Sequence, residues 1–201
     1  MEAAQIYVSE VSMRKIKTLF VSLLFVAAAS FSAKSQAQTG TPAWRATLNQ
    51  QLPLLGHRNW ILIVDSAYPL QVSPGIETIE TGAGQLEVTS TVLAELSHSI
   101  HVEPVVYLDA ELPHVPEKDF AGLNAYREDL KKTLQGHTIQ SLPHEQILGK
   151  ISETAKTYKV LVLKTTMAMP YTSVFLQLGC KYWSEENEQK LRQAMKTSSS
   201  K

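Results

Sequence analysis

The chain has 201 residues, 44% of them hydrophobic and 19% charged, which suits one globular domain with a sizeable core. Nineteen basic residues balance nineteen acidic ones, so no overall field recruits nucleic acid or an anionic membrane, and no stretch interleaves basic residues with aromatics for base stacking. The single cysteine, Cys180, excludes a disulfide within the chain and reads as structural filler, because no neighbouring motif would activate a thiolate.

The N-terminus reads as an export signal. Met13-Arg14-Lys15-Ile16-Lys17 is a basic region, Leu19 to Ala33 is an apolar stretch, and Ser35-Gln36-Ala37 satisfies the small-x-small cleavage rule. The apolar run falls short of the roughly 20 residues a membrane span needs and is interrupted by Ser22 and Ser30. The expectation is a leader over 1–37, cleaved near Ala37, followed by one α/β domain over 38–201 that is periplasmic or secreted and has no membrane segment in its mature form. Because the basic cluster begins at Met13, that residue is the expected start and Met1 to Ser12 an upstream extension. An uncleaved anchor is the alternative.

After a polar linker from Gln38 to Pro42, Ala43 to Leu55 reads as a helix that Pro53 must end or kink. Trp60 to Val64 is a continuous apolar run bounded by Gly56-His57-Arg58-Asn59 and Ser66-Ala67-Tyr68-Pro69, the pattern of a core strand. Ile76 to Thr81 is a second short strand, Gln85 to Ile100 a helix with Leu86, Val92, Leu93 and Leu96 on one face, and Val105 to Leu108 a strand with Pro104 marking an edge. Phe120 to Gln135 is amphipathic, Thr138 to Leu142 is extended, and His144 opens a helix to about Thr157. Val160 to Leu163 and Val174 to Leu178 complete the strands, and a last helix starts near Ser184, a capping residue, and runs to Lys196. This alternation predicts a single-domain three-layer α/β/α sandwich around a mostly parallel or mixed sheet.

Polar residues at strand ends line crevices in such sheets, which makes His57 and Asp65, at the two ends of the first strand, candidate site residues. Three motifs extend this reading. They are Gly56-His57 followed by a short apolar strand, Asp65 and Pro69; His144-Glu145-Gln146 at a helix start; and Tyr171-Thr172-Ser173 before an apolar strand ending in Gly179. In order and spacing they resemble the ribose pyranase and fucose mutarotase family, over most of the chain from Trp44 to Gly179. The resemblance implies a cofactor-independent isomerase acting on a free monosaccharide, with His57 catalytic and Asp65, His144, Tyr171, Thr172 and Ser173 binding the sugar. It also implies a ring-shaped homo-oligomer with sites at subunit boundaries.

Two departures bear on the substrate. Ser173 stands where the family usually has Asn, replacing an amide that both donates and accepts with one shorter hydroxyl. Thr166-Met167 stand where a Gly-Glu pair commonly precedes the Tyr motif. A diverged sugar-binding or sensing protein, and a structural oligomer without a ligand, are the rival readings.

The chemistry fits the residue types. Interconverting anomers or ring forms needs one group that protonates the ring oxygen and another that accepts the anomeric hydroxyl proton, and histidine can do either near neutral pH. Seven residues separate His57 from Asp65, well over 15 Å at about 3.3 Å per extended residue, too far for one monosaccharide. Either a loop folds back or two subunits share the site; the resemblance implies the second, with His57 donated across an interface. No metal is expected: His98 and His101 straddle a helix end with no third ligand at a known spacing. Ser66 and Ser173 lack a Gly-x-Ser-x-Gly setting for a nucleophile.

Overall fold

The computed structural model describes residues 41–198. The leader expected over 1–37 lies outside them. Among the described residues no helix is long and apolar enough to cross a membrane.

The strands are β1 (Trp60–Val64), β2 (Ile76–Glu80), β3 (Val102–Asp109), β4 (Ile139–Leu142), β5 (Val160–Lys164) and β6 (Val174–Cys180). They form one six-stranded sheet in the order β2-β5-β1-β6-β3-β4. The pairs β1–β5, β2–β5 and β3–β4 are parallel, while β6 runs antiparallel to both β1 and β3, so five strands point one way and β6 the other. The expected mixed sheet is what forms.

Why β1 is apolar at every position follows from what covers it. Ile61 and Ile63 face one core, built with α1 (Ala43–Gln51), α2 (Gln85–Ser97) and α3 (Leu123–Thr133). Trp60, Leu62 and Val64 face a second core completed by Ile147, Ile151 and Ala155 of and just after α4 (His144–Thr154). A strand with both faces covered cannot alternate polar and apolar residues. Three helices on one face and one on the other give the three layers.

Element ends are where local chemistry decides. α1 stops at Gln51, and Pro53 sits in the 3₁₀ turn Leu52–Leu54 that follows, as its missing N–H and fixed φ require. β3 begins three residues earlier than the sequence pattern implies and runs through Pro104. The reason lies in β4. The Val106 N–H donates toward β4, to the Thr138 carbonyl at 2.9 Å, and Pro104 has the same parity but lies beyond the start of β4, where no donor is called for. The Ser184 hydroxyl accepts from the Asn187 N–H at 3.2 Å and caps α5 (Glu185–Ser198), as the sequence suggests.

Candidate functional site

The C-terminal ends of β1, β3 and β5 and the N-terminal start of β6 meet along one edge of the sheet, and the sequence leaves its polar residues there. Asp65 follows β1. One carboxylate oxygen accepts from the Ala67 N–H at 2.9 Å, which shapes the turn, and the other accepts from the Ser173 hydroxyl at 3.0 Å. Ser173 Oγ in turn accepts from the Asp65 N–H at 3.3 Å, so the two residues lock β1 to β6.

His144 comes to the same edge from the first turn of α4. Its backbone N–H donates to both carboxylate oxygens of Glu111, at 3.0 and 3.1 Å, an acidic partner at a helix start where backbone donors and dipole favour one. Its ring Nδ1 lies 3.0 Å from Oδ1 of Asp109, at the end of β3. With Asp109 ionised, Nδ1 donates and Nε2 is left as an acceptor for a ligand. Tyr171 stands edge-on to the imidazole, ring centroids 5.6 Å apart and planes 82° apart. Its backbone is left-handed, φ 58°, a conformation that costs a non-glycine residue and collects at functional sites.

Asp109 was not among the sequence candidates, and it is the most perturbed acid here. It is 1% exposed, and its Oδ2 has no hydrogen-bond partner among the described residues. Burial raises its pKa to about 6, with Glu111 and Asp65 adding to the rise and the bonded His144 working against it. Tyr68 is pushed up to about 12, by burial first and then by Asp109 and Asp65. Three carboxyls, an imidazole and a phenol thus share one electrostatic neighbourhood. The signal for Asp109 was the one that flagged Asp65: a carboxylate that closes an apolar strand.

Thr172 is completely buried, its hydroxyl donating to the Met169 carbonyl at 2.8 Å. Its own carbonyl accepts from Gln85 Nε2 at 3.0 Å and from the Tyr126 hydroxyl at 2.6 Å. Gln85 also donates to the Ile63 carbonyl at 2.8 Å and accepts from the Thr165 hydroxyl at 2.7 Å. This closed network sits behind the edge and fixes where Tyr171 and Ser173 stand. Gln85, too, escaped the sequence reading.

His57 is elsewhere. It lies in the turn before β1, exposed, at the opposite end of the strand from Asp65. Asn59 builds that turn: its Oδ1 accepts from the Gly56 N–H at 2.7 Å and its Nδ2 donates to the Lys159 carbonyl at 3.1 Å. Arg58 has φ 78°, and with Tyr171 it makes the pair of non-glycine residues in left-handed backbone among those described. Arg58 adjoins the candidate His57, and Tyr171 is itself a candidate. His57 borders a groove of about 780 Å³ together with Glu103, Cys180, Tyr182, Trp183 and Glu185. Within one chain, then, the structure gathers Asp65, His144, Tyr171 and Ser173 and leaves His57 apart. Among the described residues no three His, Cys, Asp or Glu side chains converge as a metal site would require.

Residues 40–181 match the model of the RbsD / FucU transport protein family. The chain belongs to this family. It is 27% identical over 135 residues to D-ribose pyranase 1 of Streptomyces griseus subsp. griseus, which covers 67% of this chain and 80% of that protein. Among solved structures it is similar to Bacillus subtilis RbsD complexed with D-ribose, with 22% identity, TM-score 0.49 and coverage of 70% of this chain and 96% of that one. It is also similar to the fucose mutarotase of Streptococcus pneumoniae in complex with L-fucose, at 19% identity, TM-score 0.45 and coverage of 69% and 92%. The RbsD / FucU match ends at residue 181, so Tyr182, Trp183 and α5 lie beyond it.

Proposed function

We propose that this protein is an exported monosaccharide mutarotase or pyranase that interconverts anomers or ring forms of a free aldose without a cofactor. The carrying observation is the division of polar groups between the two ends of one buried strand. Asp65, Ser173, His144 and Tyr171 stand together at one end, and His57 borders an open groove at the other. Each end is half of a site, and a second copy of the chain brings His57 to the Asp65 edge.

The chemistry is a balanced proton exchange. As the bond from the anomeric carbon to the ring oxygen breaks, His57 protonates that oxygen while a group at the opposite edge takes the anomeric hydroxyl proton, leaving the open-chain carbonyl. Closure on the other face, or by another hydroxyl, returns both protons. His144 is the acceptor: Asp109 fixes its Nδ1 as donor, leaves Nε2 its lone pair, and stabilises the imidazolium that forms. Asp65 orients hydroxyls and Tyr171 covers the C–H face of the ring.

A non-catalytic sugar-binding role is the second reading, favoured by Ser173. Its hydroxyl is already engaged with Asp65 and it is 1% exposed, so the amide contact of the family pattern has no direct replacement.

One experiment tests site sharing and turnover together. His57→Ala and Asp65→Ala proteins, each inactive alone, are coexpressed, and exchange between sugar forms is followed by NMR. If each site takes His57 from one copy and Asp65 from another, random assembly rebuilds about one quarter of the sites. Activity recovered toward that level is the expected result. No recovery in verified mixed oligomers overturns the shared site, and a wild type that binds sugar without exchanging it leaves the binding reading in its place. Export is tested by mass spectrometry of the mature protein, whose first residue is expected at or near Gln38.

A further inference from the structure

The groove at His57 has one wall made by residues outside the family span. Tyr182 and Trp183 follow β6 after Lys181, and Glu185 opens α5. Trp183 is held in place by the helix that follows it: the indole N–H donates to Glu188 Oε2 at 2.9 Å, and Glu188 Oε1 accepts from Arg192 at 2.6 Å. The polar edge of the ring is therefore occupied, and what remains for a ligand is the apolar face. Trp183 is 42% exposed, whereas Trp44 and Trp60, the other two tryptophans, are 3% and 1% exposed and belong to the cores.

A large aromatic ring held by its N–H edge beside a histidine and carboxylates is the arrangement that recognises a sugar. The ring covers the C–H face of a pyranose, and the carboxylates accept from its hydroxyls. Glu103 and Glu185 border the same groove, and its volume of about 780 Å³ is in the range of ligand sites.

We infer that the C-terminal segment beyond the family span adds a specificity wall to the sugar site, in which Trp183 stacks on a free, uncharged monosaccharide whose ring oxygen is presented to His57. This rests on the reading that His57 belongs to a sugar site. Trp183 acts on binding and takes no proton, so its removal raises KM and leaves kcat near wild type.

The test uses the full chain with D-ribose, L-fucose and D-glucose as probes. NMR exchange rates are measured for wild type, Trp183→Ala, Trp183→Phe and His57→Ala. Trp183→Ala is expected to raise KM roughly threefold to tenfold for the best sugar, with Trp183→Phe restoring most of the loss. In the wild type, acrylamide quenching of tryptophan fluorescence is expected to fall at saturating sugar, because Trp183 is the accessible emitter. An unchanged KM in Trp183→Ala together with lost exchange in His57→Ala overturns the wall and keeps the proposed reaction. Unaltered quenching at saturating sugar overturns the wall without needing a variant. A wild type that neither binds nor exchanges any of the three sugars overturns both.

Discussion

The two ends of β1 are built on different principles. At the Asp65 end, groups are fixed from behind by buried or partly buried hydrogen bonds: Ser173 to Asp65, Thr172 to Gln85 and Tyr126, His144 to Asp109. At the His57 end a solvent-exposed turn carries the histidine, and one wall of the groove beside it is made by residues that follow the last strand. The difference teaches where each kind of function can be placed. Preorganised polar contacts need a low-dielectric backing that excludes competing water, whereas a group that completes a site in another copy must stand proud of its own fold.

The largest expected effect breaks the exposed end. His57→Ala should lower sugar exchange by roughly 10²–10⁴, since a methyl group neither donates nor recovers a proton. Its thermal stability should stay within about 0.5 kcal/mol of wild type, as for other exposed substitutions. A combined NMR exchange assay and melting curve reads both, and an intact rate would remove His57 from the mechanism.

Gln85→Leu attacks the buried end from behind. It takes one donor from the Ile63 carbonyl, which is also paired in the β1–β6 ladder, and one of two from the Thr172 carbonyl, and leaves the Thr165 hydroxyl with Val64 alone. At about 0.5–1.5 kcal/mol for each of the three hydrogen bonds lost, a fall of roughly 1.5–4.5 kcal/mol is expected in urea unfolding. Gln85→Glu, with the same length and a buried charge, should be no better. A stability change below about 0.5 kcal/mol would mean that the network does not hold the edge.

Asp109→Asn sharpens the comparison through pH. The buried carboxyl titrates near 6, above its ordinary value of 3.8, so the folded state holds this proton more tightly than the unfolded one. Its contribution is fully present below about 4 and is lost as pH rises through 6. The wild type should therefore lose stability between these values relative to Asp109→Asn, whose amide does not titrate. Parallel stability curves for the two proteins would show that burial does not govern this acid. His57, which precedes β1 at the opposite end of the sheet from Asp109, should leave that difference unchanged when replaced.

Much of this was legible in the sequence. The apolar run Trp60–Val64 announced a strand covered on both faces, and Asp65 was flagged because a carboxylate closes it. Asp109 closes β3 in the same way and was passed over because its meaning depends on strand order. Only the placement of β6 between β1 and β3 brings Asp65 and Asp109 into one electrostatic neighbourhood, and no local pattern encodes that order. Gln85 was illegible for a related reason. A polar residue at a helix start reads as a solvent-facing end, and its burial follows from three carbonyl and hydroxyl partners contributed by β1, the residue after β5 and the segment before β6. The separation of His57 from Asp65 could be read directly, because a strand's length is set by its residue count.

The smallest expected effect is also the most selective. Tyr171→Phe keeps the aromatic edge contact with His144 and asks the backbone for the same left-handed conformation, so neither packing nor strain changes. Only the hydroxyl is lost. It stands on a residue that is 37% exposed, where water can replace a partner in the empty site, and stability should therefore be unaffected. With sugar bound, the same hydroxyl makes one hydrogen bond, worth about 0.5–1.5 kcal/mol. KM should thus rise roughly twofold to tenfold with kcat nearly constant, provided that Tyr171 binds rather than transfers a proton. A fall in kcat with unchanged KM would instead make the phenol a proton carrier and move the acid-base pair wholly to the buried end, leaving His57 as a binding group.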